Sequence, residues 1–288
     1  MKKMIGIMLI ALFFASCKKT DNMNGSLNLM ITGLEDLGSN YRYEGWLLVS
    51  GNPISTGTFT VDASGKISTS SFMVDKTNLA NATDFIVTIE PYPDANPAPT
   101  STHILSGSFS GANASISVAD AKALGNSFAT ASGKYVLATP SNGPNTNEKS
   151  GLWFLDLSSG SPTAGLTLPA LPAGWKYEGW ALIGSTPVTT GKFTSASGAD
   201  NMAPYSGPMP TPPFPGEDFL LNAPAGLSFP IDLSGGKAVI SIEPDPDNSP
   251  APFGLKPLVG NIPSAAMDHF TYTMTNSITA FPVGVATR

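Results

Sequence analysis

The chain carries one cysteine and two histidines in 288 residues. A disulfide within the chain is excluded, and so is a zinc site made from Cys and His. Charge is scarce too. Asp, Glu, Lys and Arg make up 12% of residues, about half the usual share of a soluble domain. The balance is acidic, a formal −6 with a pI near 4.8, so there is no basic face for nucleic acid. No run reaches 18 apolar residues, and no transmembrane helix is expected. No stretch holds an apolar period of 3.6 over three turns. Gly-x-Ser-x-Gly elbows, phosphate-binding glycine loops and dinucleotide fingerprints are also missing. What remains is 41% hydrophobic residues, enough for a core, with Gly 29, Pro 26 and abundant Ser, Thr and Asn.

The first residues read as an address. Lys2 and Lys3 precede an apolar run from Met4 to Phe14, too short to span ~30 Å of hydrocarbon but suited to a signal peptide. The run ends in Phe14-Ala15-Ser16-Cys17, which resembles a bacterial lipobox. Residues 1–16 are then a lipoprotein signal peptide, Cys17 the lipidated (palmitate-bearing) first residue of the mature chain, and 17–26 a linker. Triacylation meets the need for more than one chain in stable anchoring. The membrane is the expected partner through that lipid. The expected location is the bacterial cell envelope, lipid-anchored at the outer membrane, periplasmic or surface-exposed. Lys18-Lys19-Thr20-Asp21-Asn22 resembles the start of surface lipoproteins of Bacteroidetes.

The rest of the chain is written twice. YRYEGWLLVSGNPISTGTFT (41–60) and WKYEGWALIGSTPVTTGKFT (175–194) agree at ten of 20 positions. IVTIEPYPDANPAP (86–99) and VISIEPDPDNSPAP (239–252) agree at eight of 14. A fainter match joins Ala123–Pro140 to Ala265–Pro282. The second motif pair lies 153 residues apart against 134 for the first, an excess of 19 that fits the Pro-rich stretch from Ala203, expected as an extended surface loop. Two domains are therefore expected, 27–140 and 150–288, joined near Pro140–Lys149 by a linker or long hairpin loop.

Period-two alternation places strands at Leu27–Thr32, Tyr43–Ser50, Gly57–Thr60, Phe85–Glu90, His103–Gly107 and Tyr135–Thr139 in the first copy. The second copy offers Leu152–Leu157, Tyr177–Gly184, Gly191–Thr194, Ala238–Glu243 and Ile278–Phe281. Turns are expected at Gly51-Asn52-Pro53 and Ser185-Thr186-Pro187, and short helical turns at Ser117–Leu124 and Pro263–Met267. The fold class is all-β, two tandem β-sandwich domains of similar topology. The Tyr-Glu-Gly-Trp strand carries large apolar groups on both faces, which predicts a central strand. Gly45 there should relieve a close backbone approach.

These motifs resemble the extracytoplasmic C-terminal domain of anti-sigma-K factors. The matching residues are Tyr43, Trp46, Pro53, Gly57, Phe59, Val87, Thr88, Glu90, Pro91, Pro97, Pro99, Thr100 and Gly107. In the second copy they are Tyr177, Trp180, Pro187, Gly191, Phe193, Glu243, Pro244, Pro250, Pro252 and Gly260, with departures at Ser241 and Phe253, where the pattern has Thr. The resemblance implies the outer, sensor-like fold. It does not imply sigma binding, because the cytoplasmic inhibitor domain has no counterpart here and a lipid-anchored outer protein cannot touch a cytoplasmic sigma factor.

Glu90 and Glu243 recur before a proline at a strand end. Each carboxylate either binds a ligand or cation, or pins its loop through backbone N–H groups. Glu44 and Glu178 are expected to pair with Arg42 and Lys176. Asp245 and Asp247, with Asn248, are candidate calcium ligands, although no EF-hand spacing is present and no metal is expected. Trp153 and Trp175 lie outside the strict repeat and are candidates for stacking on sugar rings. His103 and His269 fall at unmatched places, which speaks against a repeated catalytic role. The expectation is a non-enzymatic envelope sensor, scaffold or protein-interaction module without a cofactor, the alternative being a glycan-binding surface lipoprotein.

Overall fold

The computed structural model describes residues 23–247 and 249–288. The signal peptide, Cys17 and Asn248 lie outside the described residues. The first copy contains β1 (Asn24–Thr32), β2 (Tyr41–Val49), β3 (Asn52–Phe59), β4 (Ser71–Asp75), helix α1 (Lys76–Asn81), β5 (Ala82–Pro91), β6 (His103–Ser110), β7 (Asn113–Ser117) and β8 (Ser132–Tyr135). The second contains β9 (Gly151–Trp153), β10 (Leu155–Asp156), β11 (Thr163–Ala164), β12 (Leu166–Thr167), β13 (Trp175–Ile183), β14 (Thr186–Phe193) and β15 (Gly216–Asp218). It ends with β16 (Lys237–Pro244), β17 (Leu258–Asn261), β18 (Tyr272–Asn276) and β19 (Val283–Thr287). The class is all-β, with two large antiparallel sheets in a sandwich-like, half-barrel arrangement.

Strand order in the eight-stranded sheet is β3-β2-β5-β6-β7-β19-β1-β4, and in the seven-stranded sheet β14-β13-β16-β17-β18-β8-β12. Laid side by side, the two orders match strand for strand until the extra β4. The match exposes an exchange. β19, the last strand of the second copy, sits in the first sheet between β7 and β1, and β8, the last strand of the first copy, sits in the second sheet between β18 and β12. Gly284 faces Ile116 and Ile31, and Gly133 faces Met274 and Leu166, so the two glycines are equivalent. The fainter sequence match, Ala123–Pro140 on Ala265–Pro282, does not follow the structure: it sets the stretch after β7 on the stretch that leads into β18, and Tyr135 on Ser277 rather than on β19.

The expected domains 27–140 and 150–288 are therefore not two closed units, since each sheet is completed by the other copy. Tyr135 of β8 is fully buried, stacks on Tyr272 at 5.4 Å between ring centroids and donates its hydroxyl to the Asn261 carbonyl at 3.0 Å. Arg288 follows β19 and returns to the first copy, where its guanidinium donates to the Leu79 and Ala82 carbonyls at 2.6 and 2.7 Å. One buried apolar cluster runs through both copies, with a small satellite of Val136, Trp153 and Leu155.

Several local expectations shift. β1 starts at Asn24, inside the expected linker 17–26. The hairpin turns are Ser50-Gly51 and Gly184-Ser185, so Asn52-Pro53 and Thr186-Pro187 already belong to strands. Tyr135–Thr139 is strand only at Tyr135, and Ile278–Ala280 is a 3-10 turn. Ser117–Leu124 and Pro263–Met267 form turns rather than helix, while the α-helix falls at Lys76–Asn81, capped by Asp75 through the N–H groups of Thr77 and Asn78. Pro140–Lys149 is no free linker: Ser141 and Ser150 around it are buried and bonded into the second half. Among the described residues no helix is long and apolar enough to cross a membrane.

The Tyr-Glu-Gly-Trp strands are interior strands, paired on both sides but each only one place in from a sheet edge. Each hairpin carries the same bulge, after Gly45 in one copy and Gly179 in the other. The bulged partners are Gly57 (φ +116°) and Gly191 (φ +118°), a conformation that disfavours any side chain. The crowding at Gly45 comes from a side chain rather than a backbone, since a Cβ there would lie 2.8 Å from the Phe85 ring. At Gly179 the ring is that of Phe154, 2.6 Å from such a Cβ. Ala238 stands where Phe85 would be, and a ring from a different segment fills the space.

Candidate functional site

Each Tyr-Glu-Gly-Trp strand builds the same buried polar chain. Alternation turns Glu44 and Trp46 to one face of β2, opposite Thr88 and Ile86 of β5. Trp46 Nε1 donates to Thr88 Oγ1 at 2.8 Å, and the Thr88 hydroxyl donates to Glu90 Oε1. That same oxygen accepts the Thr100 backbone N–H at 2.9 Å, which clamps the Pro-rich loop 91–99. In the second copy Trp180 Nε1 donates to Ser241 Oγ at 2.8 Å, Ser241 donates to Glu243 Oε1, and Glu243 Oε1 accepts the Phe253 N–H at 2.9 Å. The departures at Ser241 and Phe253 leave this chain intact, because a hydroxyl and a backbone N–H are all it needs. Pro93 and Pro246 follow in cis peptide bonds at matching places.

Glu90 and Glu243 thus pin their loops with one oxygen. The other oxygen of each, Oε2, is buried and has no hydrogen-bond partner. Burial pushes both carboxyl groups above the ordinary carboxylate range, Glu243 to about 7. Near each lies a second glutamate from the interior strand, Glu44 or Glu178, whose charge raises the neighbour further. The expected pairs Glu44–Arg42 and Glu178–Lys176 do not form. Arg42 covers the Tyr92 ring at 4.3 Å, Glu44 accepts from Ser55, and Lys176 pairs with Asp245 at 2.9 Å.

The two sites differ in what surrounds the glutamates. In the second copy Lys192 reaches in from β14, 3.0 Å from Asp247 Oδ2 and 3.8 Å from Glu178 Oε2. Its counterpart in the first copy is Thr58. Glu178, Glu243 and Asp247 bring carboxylate oxygens within 4.8 Å of one another. Of the two aspartates raised as calcium ligands, Asp247 joins this group and Asp245 turns to Lys176.

A second candidate site exists only in the second half. The Pro-rich stretch after Ala203 is not simply a surface loop, for it folds back and pairs β15 with β9. Asp218 on β15 is fully buried and gathers three segments. It accepts the Ser141 N–H at 2.8 Å and hydroxyl, and Trp153 Nε1 at 2.7 Å. Beside this knot lies an apolar groove of about 520 Å³, walled by Pro140, Trp153, Leu157, Met209 and Pro212 with Glu148 and His269 at its rim. Neither candidate stacking tryptophan is an exposed platform. Trp153 is 2% exposed and Trp175 3%, the latter packed on Phe253 at 6.1 Å. Their aromatic area was claimed by the core. His103 faces the Lys122 carbonyl at 2.8 Å, and His269 lies beside Asp268 and Glu148.

No family model, no curated protein and no solved structure matches this chain.

Proposed function

We propose that the chain is a non-enzymatic, lipid-anchored envelope protein whose duplicated outer fold, similar to that of anti-sigma-K factors, serves as a protein-interaction module. The observation that carries this reading is the groove over Trp153. Its walls are mostly proline, methionine, leucine and other apolar side chains, with Thr139, Thr211, Glu148 and His269 among them, so an apolar, extended peptide segment suits it better than a glycan. The insertion that the first copy lacks adds Met209, Pro210, Thr211 and Pro212 to a wall otherwise built mostly from residues 136–162. The N-terminal lipobox-like segment supports anchoring at Cys17, and the burial of both candidate tryptophans removes the main support for the glycan alternative.

A photo-crosslinking side chain at Met209, half-exposed on the groove, tests this in intact cells, with Met73 on the first sheet as the control site. A protein adduct at 209, absent at 73 and lost when Leu157→Asp puts a charge in the wall, supports the reading. Equal labelling at both sites, or none, counts against it. Cys17→Ser should abolish palmitate incorporation and release the chain from membranes.

A further inference from the structure

We propose that Glu178, Glu243 and Asp247 form a binding site for one divalent cation, calcium by its chemistry, in the second copy only. Among the described residues this is the one group of three or more ligand-type side chains whose atoms converge within 4.8 Å. Oxygens that close together fit within one calcium shell, whose oxygens lie 2.3–2.6 Å from the ion. The three carboxylates come from three places that the fold fixes: β13, the end of β16, and the loop after it.

The second observation is the orphaned oxygen. Glu243 is fully buried, its Oε1 holds Ser241 and the Phe253 N–H, and its Oε2 has no hydrogen-bond partner while its carboxylate belongs to the converging group. Glu178 repeats this, with Oε1 on Thr189 and a buried Oε2 touched only by the distant Lys192 ammonium at 3.8 Å. A buried oxygen without a donor is costly, and more so when charged. Lys192, with Lys256 acting on Glu243 from farther off and shared with Glu35, sets two ammonium groups against three carboxylates and leaves the group short of positive charge. The Asp247 carbonyl, which now accepts from Lys192 Nζ at 2.9 Å, is a fourth oxygen at the same spot. Lys192 holds the place by a flexible, partly exposed side chain, and its four-carbon stem lets it withdraw. Water completes the six to eight oxygens calcium takes.

The first copy supplies an internal control. Asp94 occupies the position of Asp247, and each accepts the N–H two residues on, Asn96 or Ser249, at 2.8 Å; but Asp94 lies exposed and makes no such group with Glu44 and Glu90.

The test is calorimetric titration of the chelator-treated full chain with calcium chloride, with magnesium chloride in parallel. The expected result is one calcium site per chain, in the ~10⁻⁴–10⁻³ M range of extracellular modules, and weaker binding of magnesium, which demands a tighter octahedron. Asp247→Asn, on a loop and safe for folding, should weaken it at least tenfold; Lys192→Met should tighten it about tenfold; Glu90→Gln should leave it unchanged. Terbium luminescence sensitised by Trp180 should follow the same order. No saturable calcium binding by a chain with an intact melting transition, or binding indifferent to Asp247→Asn, overturns the proposal.

Discussion

The two copies share a strand order and a Trp–hydroxyl–glutamate chain, yet the residues around that chain have diverged. In the first copy Glu44 and Glu90 sit among Ser55, Thr88 and Thr100, all neutral. In the second, Lys192 and Asp247 surround Glu178 and Glu243, and an insertion adds the knot at Asp218. Residues that hold the interior strands to their loops are repeated, because the same sheet must close twice. Residues that give a site its charge or shape differ, because the sheet tolerates either set.

The sharpest way to break the comparison is to remove the strand the copies exchange. A chain ending at Pro282 lacks β19, which pairs with both β7 and β1, and Arg288, which clamps α1. It should lose its cooperative melting transition by circular dichroism. Survival of an intact first sheet, shown by hydrogen exchange at β1 and β7, would contradict the exchanged topology. Next in size is Asp218→Ala, which orphans Ser141 and Trp153 in the second half alone. About 3 kcal/mol of stability should be lost by urea unfolding, since several buried bonds fail together.

A pH scan separates the copies further. Glu243 has a folded pKa of about 7 against an ordinary 4.5. The folded state holds that proton more tightly, so its contribution is fully present below about pH 4.5 and is lost as pH rises through 7. Glu243→Gln should flatten that fall by about 3 kcal/mol, and a wild-type-like slope in the variant would refute the assignment. Glu35, also raised to about 7 by burial, should keep part of the slope in either case. The smallest effects are expected at the matched hydroxyls. Thr88→Ala and Ser241→Ala should each cost about 1–2 kcal/mol, and equally, because each removes the link between a tryptophan N–H and a glutamate. Unequal losses would show that the two chains are not equivalent.

Much of the fold is legible in the residues. Alternation located the interior strands, because one buried face per strand leaves a period-two imprint. The doubled motifs announced one unit occurring twice, expected as two separate sandwich domains where the structure has two sheets that exchange a strand. Glu90 and Glu243 stood out by recurring before a proline. Glu178 reads from the sequence as a partner of Lys176, since spacing on one strand cannot say that Lys192 from the neighbouring strand arrives first. Asp218, the centre of the second knot, carried no signal at all. It lies in a Pro-rich stretch whose composition says loop, and its partners are 65 and 77 residues away.

The chain by itself determined which faces are apolar, where the hairpins turn and that the unit occurs twice, because these depend on local spacing and backbone chemistry. Only the tertiary structure decided which sheet receives β8 and β19. A strand specifies the face it buries but not the neighbour it pairs with, since backbone hydrogen bonds look alike in every sheet. The same reason hid the carboxylate group: its members are scattered along the chain, and only packing brings their oxygens together.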